Sequence, residues 1–218
     1  MKRFIGFIVI STLLVTGTVA SGCSAPPEGS AEWYFQRAYK LYQSGDYEAA
    51  INMYTEAIEI EPLMAKLYVN RAAAYASINN FDMVVSDCTE ALSLDPNLTL
   101  AYINRAYAYN AMDNFELAIQ DSNKAIDIGK NVAEAYVNRA YAYLSMGELE
   151  RAVADCNEAL ELNPNLAQAY FHRAFAFEAL DKVDEAIDDF NTYIRLSDNP
   201  ELIERANQEI QKLAQEGK

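Results

Sequence analysis

Few residues in this chain have side chains suited to catalysis or metal binding. There is one histidine, His172, and two of the three cysteines, Cys88 and Cys156, stand at equivalent places in amphipathic segments, where buried thiols are typical. The acidic residues between 181 and 189 are typical of a solvated helix face. The sequence contains no glycine-rich phosphate loop. We therefore predict no catalytic residue, no metal site and no cofactor.

Arginine and aspartate recur in a fixed register. Each arginine of this set is followed by an aspartate at the same offset, and the pairs return at a constant period: Arg71 and Asp87, Arg105 and Asp121, Arg139 and Asp155, Arg173 and Asp189. In a helical hairpin, this separation brings the middles of the two helices together. We predict partly buried ion pairs that fix the register of each hairpin, and not ligand contacts. Arg37 departs from the pattern, because Met53 stands where its aspartate would be.

A row of amide side chains immediately precedes these arginines. Asn70, Asn104 and Asn138 recur with the same period, and His172 continues the row. An amide donates and accepts hydrogen bonds at once, so such a row can pair with a peptide backbone of any sequence. The alternative is that each asparagine caps or braces a neighbouring helix.

A repeated phrase of nine residues positions both rows. It occurs as LYVNRAAAY, AYINRAYAY, AYVNRAYAY and AYFHRAFAF, beginning at Leu67, Ala101, Ala135 and Ala169, and this constant period is a signature of repeat arrays. Each repeat has two apolar segments of helical period, separated by a pair of mostly Gly, Asn and Asp residues that favour a left-handed turn. The repeats span 31–64, 65–98, 99–132, 133–166 and 167–200.

The pattern resembles the tetratricopeptide repeat family. Repeat four carries the matching aromatic, small and proline residues Tyr136, Ala140, Tyr143, Gly147, Ala152, Ala159 and Pro164. The resemblance implies an all-α fold, a right-handed α-solenoid of five helix-turn-helix repeats. Residues 201–218 have one apolar stripe, which predicts the capping helix that such arrays need to cover their last open core.

The resemblance also implies a binding surface. In tetratricopeptide arrays, the asparagine positions of the first helix and the residues one helical step away line the concave groove. Here those neighbours include Ile103 and Val137 on one side and Tyr107, Tyr141 and Phe175 on the other. The amide row is similar to the asparagine ladders of superhelical arrays. The expected partner is therefore a protein or peptide held in this groove.

An acidic peptide tail is a disfavoured partner. The carboxylate-clamp members of the family need Lys and Asn early in the first repeat, where this chain has Phe35 and Tyr39. The third repeat has Leu100 and Asn104 in place of the clamp's Lys and Arg, so only Asn70 matches. The formal charge of −15 disfavours acidic tails further, and it also argues against nucleic acid.

The first 22 residues have the order of a secretory signal. Lys2 and Arg3 precede an uncharged run, and small residues lead to Cys23. This stretch resembles the lipobox of bacterial lipoproteins, which implies that residues 1–22 are removed and that Cys23 is lipidated. The alternative is an uncleaved membrane anchor. Residues 23–30 follow as a flexible tether, so we expect a domain held on the outer side of a membrane in a bacterial envelope.

These predictions together describe a membrane-anchored scaffold without enzymatic activity. The protein would bind a peptide segment or partner protein in its groove, and an N-terminal acyl chain would hold it on the bilayer. The alternative function is an envelope-assembly or secretion-complex lipoprotein that docks partners through both of its faces.

Overall fold

The computed structural model describes residues 25–129 and 132–216. Within these residues there are eleven α-helices and no strand. The helices are α1 Ala31–Gln43, α2 Tyr47–Ile60, α3 Ala65–Ser77, α4 Phe81–Leu94, α5 Thr99–Ala111, α6 Phe115–Ile128, α7 Ala133–Met146, α8 Leu149–Leu162, α9 Ala167–Ala179, α10 Val183–Leu196 and α11 Pro200–Glu216. The predicted all-α fold of helix-turn-helix repeats with a final capping helix is confirmed.

The turn inside each repeat is set by a residue with a left-handed backbone. Within the repeats, five residues hold φ between 58° and 83°, one in each repeat, and they are the first members of the predicted turn pairs: Gly45, Asn79, Asp113, Gly147 and Asp181. Glycine adopts this conformation without a steric penalty, and Asn and Asp tolerate it better than other residues. In the first two repeats the next residue caps the second helix, because Asp46 and Asn80 accept hydrogen bonds from backbone N–H groups.

Small residues let the two helices of each repeat approach closely. A fully buried alanine recurs in the first helix, at Ala38, Ala72, Ala106, Ala140 and Ala174. A fully buried alanine or valine recurs in the second, at Ala50, Val84, Ala118, Ala152 and Ala186. A larger side chain at these positions would overpack the helix crossing and cost about 1–3 kcal/mol.

The chain forms two compact units, with the boundary between Met112 and Asp113. The first unit contains α1–α5, and the second contains α6–α11. In each, successive helices pack against one another. Among the described residues, none of the helices has the length and apolar character needed to span a bilayer.

Helix α11 closes the second unit. Asn199 accepts hydrogen bonds from the backbone N–H groups of Glu201 and Leu202, both at 3.1 Å, and so caps the helix. Leu202, Ala206 and Leu213 then share one apolar cluster with the aromatic residues of α9 and α10. The cluster buries the apolar face that the last hairpin would otherwise expose.

Candidate functional site

Arg71 shows how the arginine row is held. Its Nε and Nη2 atoms donate to the two carboxylate oxygens of Asp87 at 2.8 and 2.7 Å. The Arg71 side chain is 14% exposed and that of Asp87 only 3%. The hydrogen bonds from this guanidinium to the buried carboxylate raise the pKa of Arg71, because they favour its charged form. The pair thus joins the two helices of one hairpin through a forked, charge-assisted contact.

The same fork recurs in the second unit. Arg139 donates to both oxygens of Asp155 at 2.7 Å, and Arg173 donates to both oxygens of Asp189 at 2.7 and 2.8 Å. All four side chains are no more than 20% exposed. These arginines are therefore occupied within the chain and have little surface left for a ligand.

A further partner of each arginine lies in the preceding repeat. The remaining Nη1 atom of Arg71 donates to Thr55 Oγ1 at 3.0 Å, and that of Arg105 donates to Thr89 Oγ1 at 3.0 Å. Asn123 and Asn157 accept the equivalent bonds from Arg139 and Arg173. Each arginine therefore also connects consecutive repeats.

The sequence contained a signal for this second contact. Thr or Asn stands as far before each of these arginines as the aspartate stands after it, and it recurs with the period of the repeat. The predicted contacts of the arginines included only the later partner, the aspartate. Asp121, the predicted partner of Arg105, is a buried carboxylate of the second unit, at 6% exposure.

The first unit carries four of the predicted groove residues. Asn70 is completely buried, and its Nδ2 donates to the backbone oxygen of Lys66 at 2.7 Å, so it braces its own helix. Ile103 is buried as well. Asn104 and Tyr107 on α5 are half-buried. These two residues are therefore the members of this set that present surface to a partner.

The remaining five predicted groove residues belong to the second unit. All are buried, with exposures from 3% to 9%: Val137, Asn138, Tyr141, His172 and Phe175. The rings of Tyr141 and His172 lie 5.3 Å apart between centroids. A partner that reaches these side chains would first have to displace their neighbours.

Helix α11 accounts for part of this burial. The guanidinium of Arg205 lies over the ring of Phe175 at 4.9 Å from its centroid and over that of Phe171 at 5.9 Å. Lys212 of α11 forms an ion pair with Glu178 of α9. The capping helix therefore covers the aromatic side of α9, where the sequence had suggested an open groove.

His172 is a neutral, packed histidine. It is 3% exposed, and its Nε2 atom has no hydrogen-bond partner among the described residues. Burial lowers its pKa to about 4, and the nearby positive charge of Arg205 acts in the same direction. At neutral pH the imidazole is uncharged and makes ring contacts with Tyr141 and Phe171.

The other reactive side chains lie in the core. Cys88 and Cys156 are fully buried, and burial raises the pKa of the Cys156 thiol. A buried thiol with a raised pKa is a poor nucleophile. In the part of the chain that the structure describes, no cluster of His, Cys, Asp and Glu has the geometry of a metal site. Cys23, the predicted lipidation site, lies outside that part.

Comparison with known proteins identifies the repeat. Sequence models of the tetratricopeptide repeat match residues 38–79, 65–98, 100–130, 133–166 and 168–199. Small glutamine-rich tetratricopeptide repeat-containing protein 2 of Saccharomyces cerevisiae is 45% identical over 53 residues, which are 24% of this chain and 15% of that protein. The chain thus spans only a small part of the curated relative it matches.

Solved structures share the fold. TTC0263, a thermophilic TPR protein of Thermus thermophilus, matches with a TM-score of 0.70 and 17% identity, over 82% of this chain and 97% of that one. The first TPR of Spaghetti (RPAP3), solved with the HSP90 peptide SRMEEVD, matches with a TM-score of 0.53 and 26% identity, over 57% of this chain and 99% of that one.

Proposed function

The chain belongs to the tetratricopeptide repeat family, and we propose that it is a membrane-anchored scaffold, without catalytic activity, that binds a peptide segment or a partner protein. The fold itself indicates protein–protein interaction. The peptide-bound RPAP3 structure gives an example in which a related repeat unit holds a peptide. The proposal extends this mode of binding to the present chain.

One observation carries the proposal, namely the exposure of Asn104 and Tyr107 on α5. The arginines of the neighbouring row are engaged inside the fold, whereas this amide and this phenol are half-buried. A tyrosine offers an apolar ring together with a hydroxyl, and an asparagine pairs with either backbone group of a peptide. Side chains of these types suit an extended segment whose sequence varies.

The charge of the chain restricts the partner. Without residues 1–22 the chain loses two cations and no acid, so its formal charge changes from −15 to −17. Acidic segments would be repelled by this surface, and basic or neutral segments would be attracted to it. We therefore expect a partner unlike the acidic HSP90 peptide in the RPAP3 complex.

The anchoring part of the proposal rests on the order of residue types before Cys23. A basic start, an uncharged run and small residues before a cysteine are typical of a lipoprotein signal. A single acyl chain binds membranes weakly, so a stable anchor would carry more than one chain. Labelling with a radioactive fatty acid, compared between the protein and Cys23→Ser, tests this directly.

A second candidate function is supported by exposed aliphatic residues at the ends of the second helices. In the second unit, the last residue of each second helix follows the period of the repeat and is exposed: Ile128 (37%), Leu162 (41%) and Leu196 (39%). Repeated aliphatic exposure favours a further docking face. This is the expectation for an envelope-assembly or secretion-complex protein that uses both of its faces.

Photocrosslinking in the native membrane separates the two candidates. A photoreactive amino acid is placed at Tyr107, at Leu162, or at Tyr102, which is a half-buried tyrosine elsewhere on α5. Partner adducts from position 107 alone support the groove scaffold, and adducts from positions 107 and 162 support docking through both faces. Adducts from position 162 alone, or equal adducts from position 102, would contradict the groove.

A further inference from the structure

Arg37 differs from every later member of the arginine row. Met53 occupies the place of its aspartate, and α1 has no preceding second helix among the described residues to supply a Thr or Asn. Its guanidinium lies 5.2 Å from the centroid of the Trp33 ring, and Arg37 forms no hydrogen bond or ion pair within the part of the chain that the structure describes. Its forked donors are therefore available to an outside group.

The face of α1 around Arg37 also differs in its residue types from the same face of the later first helices. Where α1 has Lys40, the later first helices carry a buried alanine. These residues are Ala74, Ala108, Ala142 and Ala176. Likewise Trp33 replaces a fully buried small or aliphatic residue, which is Leu67 in the second repeat. In those helices this face packs against the protein, whereas Arg37 and Lys40 are exposed.

These residues line a pocket. Its volume is about 490 Å³, within the usual range for small-molecule sites. The walls include Trp33, Gln36, Arg37 and Lys40 from α1 and also Ala25 and Pro26 from the predicted tether. Two cations, one amide and an aromatic wall are thus brought together in one concave site.

We propose that this pocket binds the phosphate of an anionic phospholipid headgroup. In a later repeat, the arginine of this row donates hydrogen bonds to both oxygens of a carboxylate, as Arg71 does to Asp87. In repeat one an anionic group for Arg37 must come from outside the hairpin. A phosphate can accept hydrogen bonds from Arg37 through two of its oxygens, and Lys40 lies beside it as a second cation. The apolar wall of Trp33 and Pro26 suits the glycerol part of a lipid.

The position of the pocket close to Cys23 favours a lipid headgroup over other anionic ligands. Ala25 is two residues beyond Cys23, a chain length of at most about 7 Å. If Cys23 carries the anchor, as the proposed function requires, the pocket lies at the membrane surface. Headgroups are then present at high local concentration, whereas a soluble acidic ligand must approach a chain whose formal charge without residues 1–22 is −17.

Trp33 provides a specific probe, because it is the single tryptophan of the chain. The full chain is reconstituted in phosphatidylcholine vesicles with or without phosphatidylglycerol, and the headgroups carry a nitroxide quencher. We expect stronger quenching of Trp33 in the anionic vesicles, with a change in its emission maximum. Equal quenching in the two kinds of vesicle overturns the proposal.

Two variants test the residues. Arg37→Ala with Lys40→Ala removes both cations, and each contributes roughly fivefold to the apparent affinity for anionic lipid. Met53→Asp keeps both cations but supplies Arg37 with the internal carboxylate of the later repeats, so it should also weaken the response. Lys124→Ala with Arg195→Ala removes two exposed cations elsewhere and should leave the response unchanged. If this control lost as much of the response to anionic vesicles, the effect would come from the total charge of the chain, and the proposed pocket would be refuted.

A soluble headgroup distinguishes the source of the phosphate. Glycerol phosphate is titrated against the detergent-solubilised chain, again with Trp33 emission as the signal. A saturable response that Met53→Asp weakens, together with a response to anionic vesicles, supports the proposal. A response to glycerol phosphate without any difference between the vesicles assigns the pocket to a free phosphate compound and overturns the lipid.

A separate experiment tests whether the chain is anchored to the membrane. Flotation of the chain with neutral vesicles measures anchoring, which does not need the pocket. A chain that floats but shows no dependence on anionic lipid refutes the pocket and leaves the anchor standing. A chain that does not float refutes the anchor and removes the reason for choosing a lipid.

Discussion

The first and last hairpins end the array in opposite ways. At α9, the rings of Phe171 and Phe175 are buried beneath α11, and Arg205 lies over both. At α1, Trp33 and Arg37 line an open pocket instead. An array can therefore end either by adding a helix that covers its last hairpin or by exchanging small buried residues for polar ones. The covered end contributes stability, and the uncovered end is available for binding.

The largest difference should appear when an aromatic residue is removed from each end. Phe171 contacts Phe175, Phe190 and Tyr193, so Phe171→Ala should lower the free energy of unfolding by about 3–5 kcal/mol. Trp33→Ala should cost about 1 kcal/mol or less, because Trp33 is only half-buried. Urea unfolding followed by circular dichroism measures both. Similar losses would show that the two ends do not differ in this way.

The next effect is a difference in stability between an arginine that is paired with an aspartate and one that is not. Asp155→Ala leaves Arg139 without its forked partner, and a loss of about 3 kcal/mol is expected. Met53→Asp should instead raise stability by about 0.5–1 kcal/mol, because it gives Arg37 such a partner. Thermal unfolding gives the sign of each change. A destabilising Met53→Asp would mean that the first hairpin does not accept the geometry of the later ones.

Acid should weaken the covered end through His172. The pKa of this imidazole is about 4 in the folded chain, below its ordinary value of 6.5, so the unfolded chain binds the proton more readily. Stability is therefore lost as the pH falls from about 6.5 towards 4, by about 2 kcal/mol at pH 5. The control is His172→Asn, which restores the residue of the earlier repeats. Identical pH dependence in the two proteins would contradict the buried neutral imidazole.

The smallest effect concerns the bond between repeats. Thr55→Val removes the acceptor of the Arg71 Nη1 bond while retaining the shape of the side chain, and about 1 kcal/mol should be lost. Thr99→Val, at the start of α5, is the control for the exchange itself. Equal unfolding free energies for Thr55→Val and the unchanged protein would show that the repeats are held together without this contact.

The sequence predicted what depends on spacing along the chain. The helical pairs, the left-handed turn residues and the fork from Arg71 to Asp87 all follow from the period of the repeat and from the constant offset between arginine and aspartate. The burial of Asn70 and Phe175 could not be predicted in this way, because it depends on what packs against their helix. The apolar stripe of α11 predicted a cap, but its placement over the aromatic side of α9 came from the structure.

The central claim is that Asn104 and Tyr107 contact the partner. The most direct measurement is the dissociation constant of a labelled unfolded peptide, selected from an array by the unchanged protein. Asn104→Ala with Tyr107→Ala should weaken binding at least about tenfold, since each side chain contributes about 1 kcal/mol or more, while Tyr102→Ala should leave it within about twofold. Unchanged binding by the double variant, or an equal loss in Tyr102→Ala, would contradict the claim.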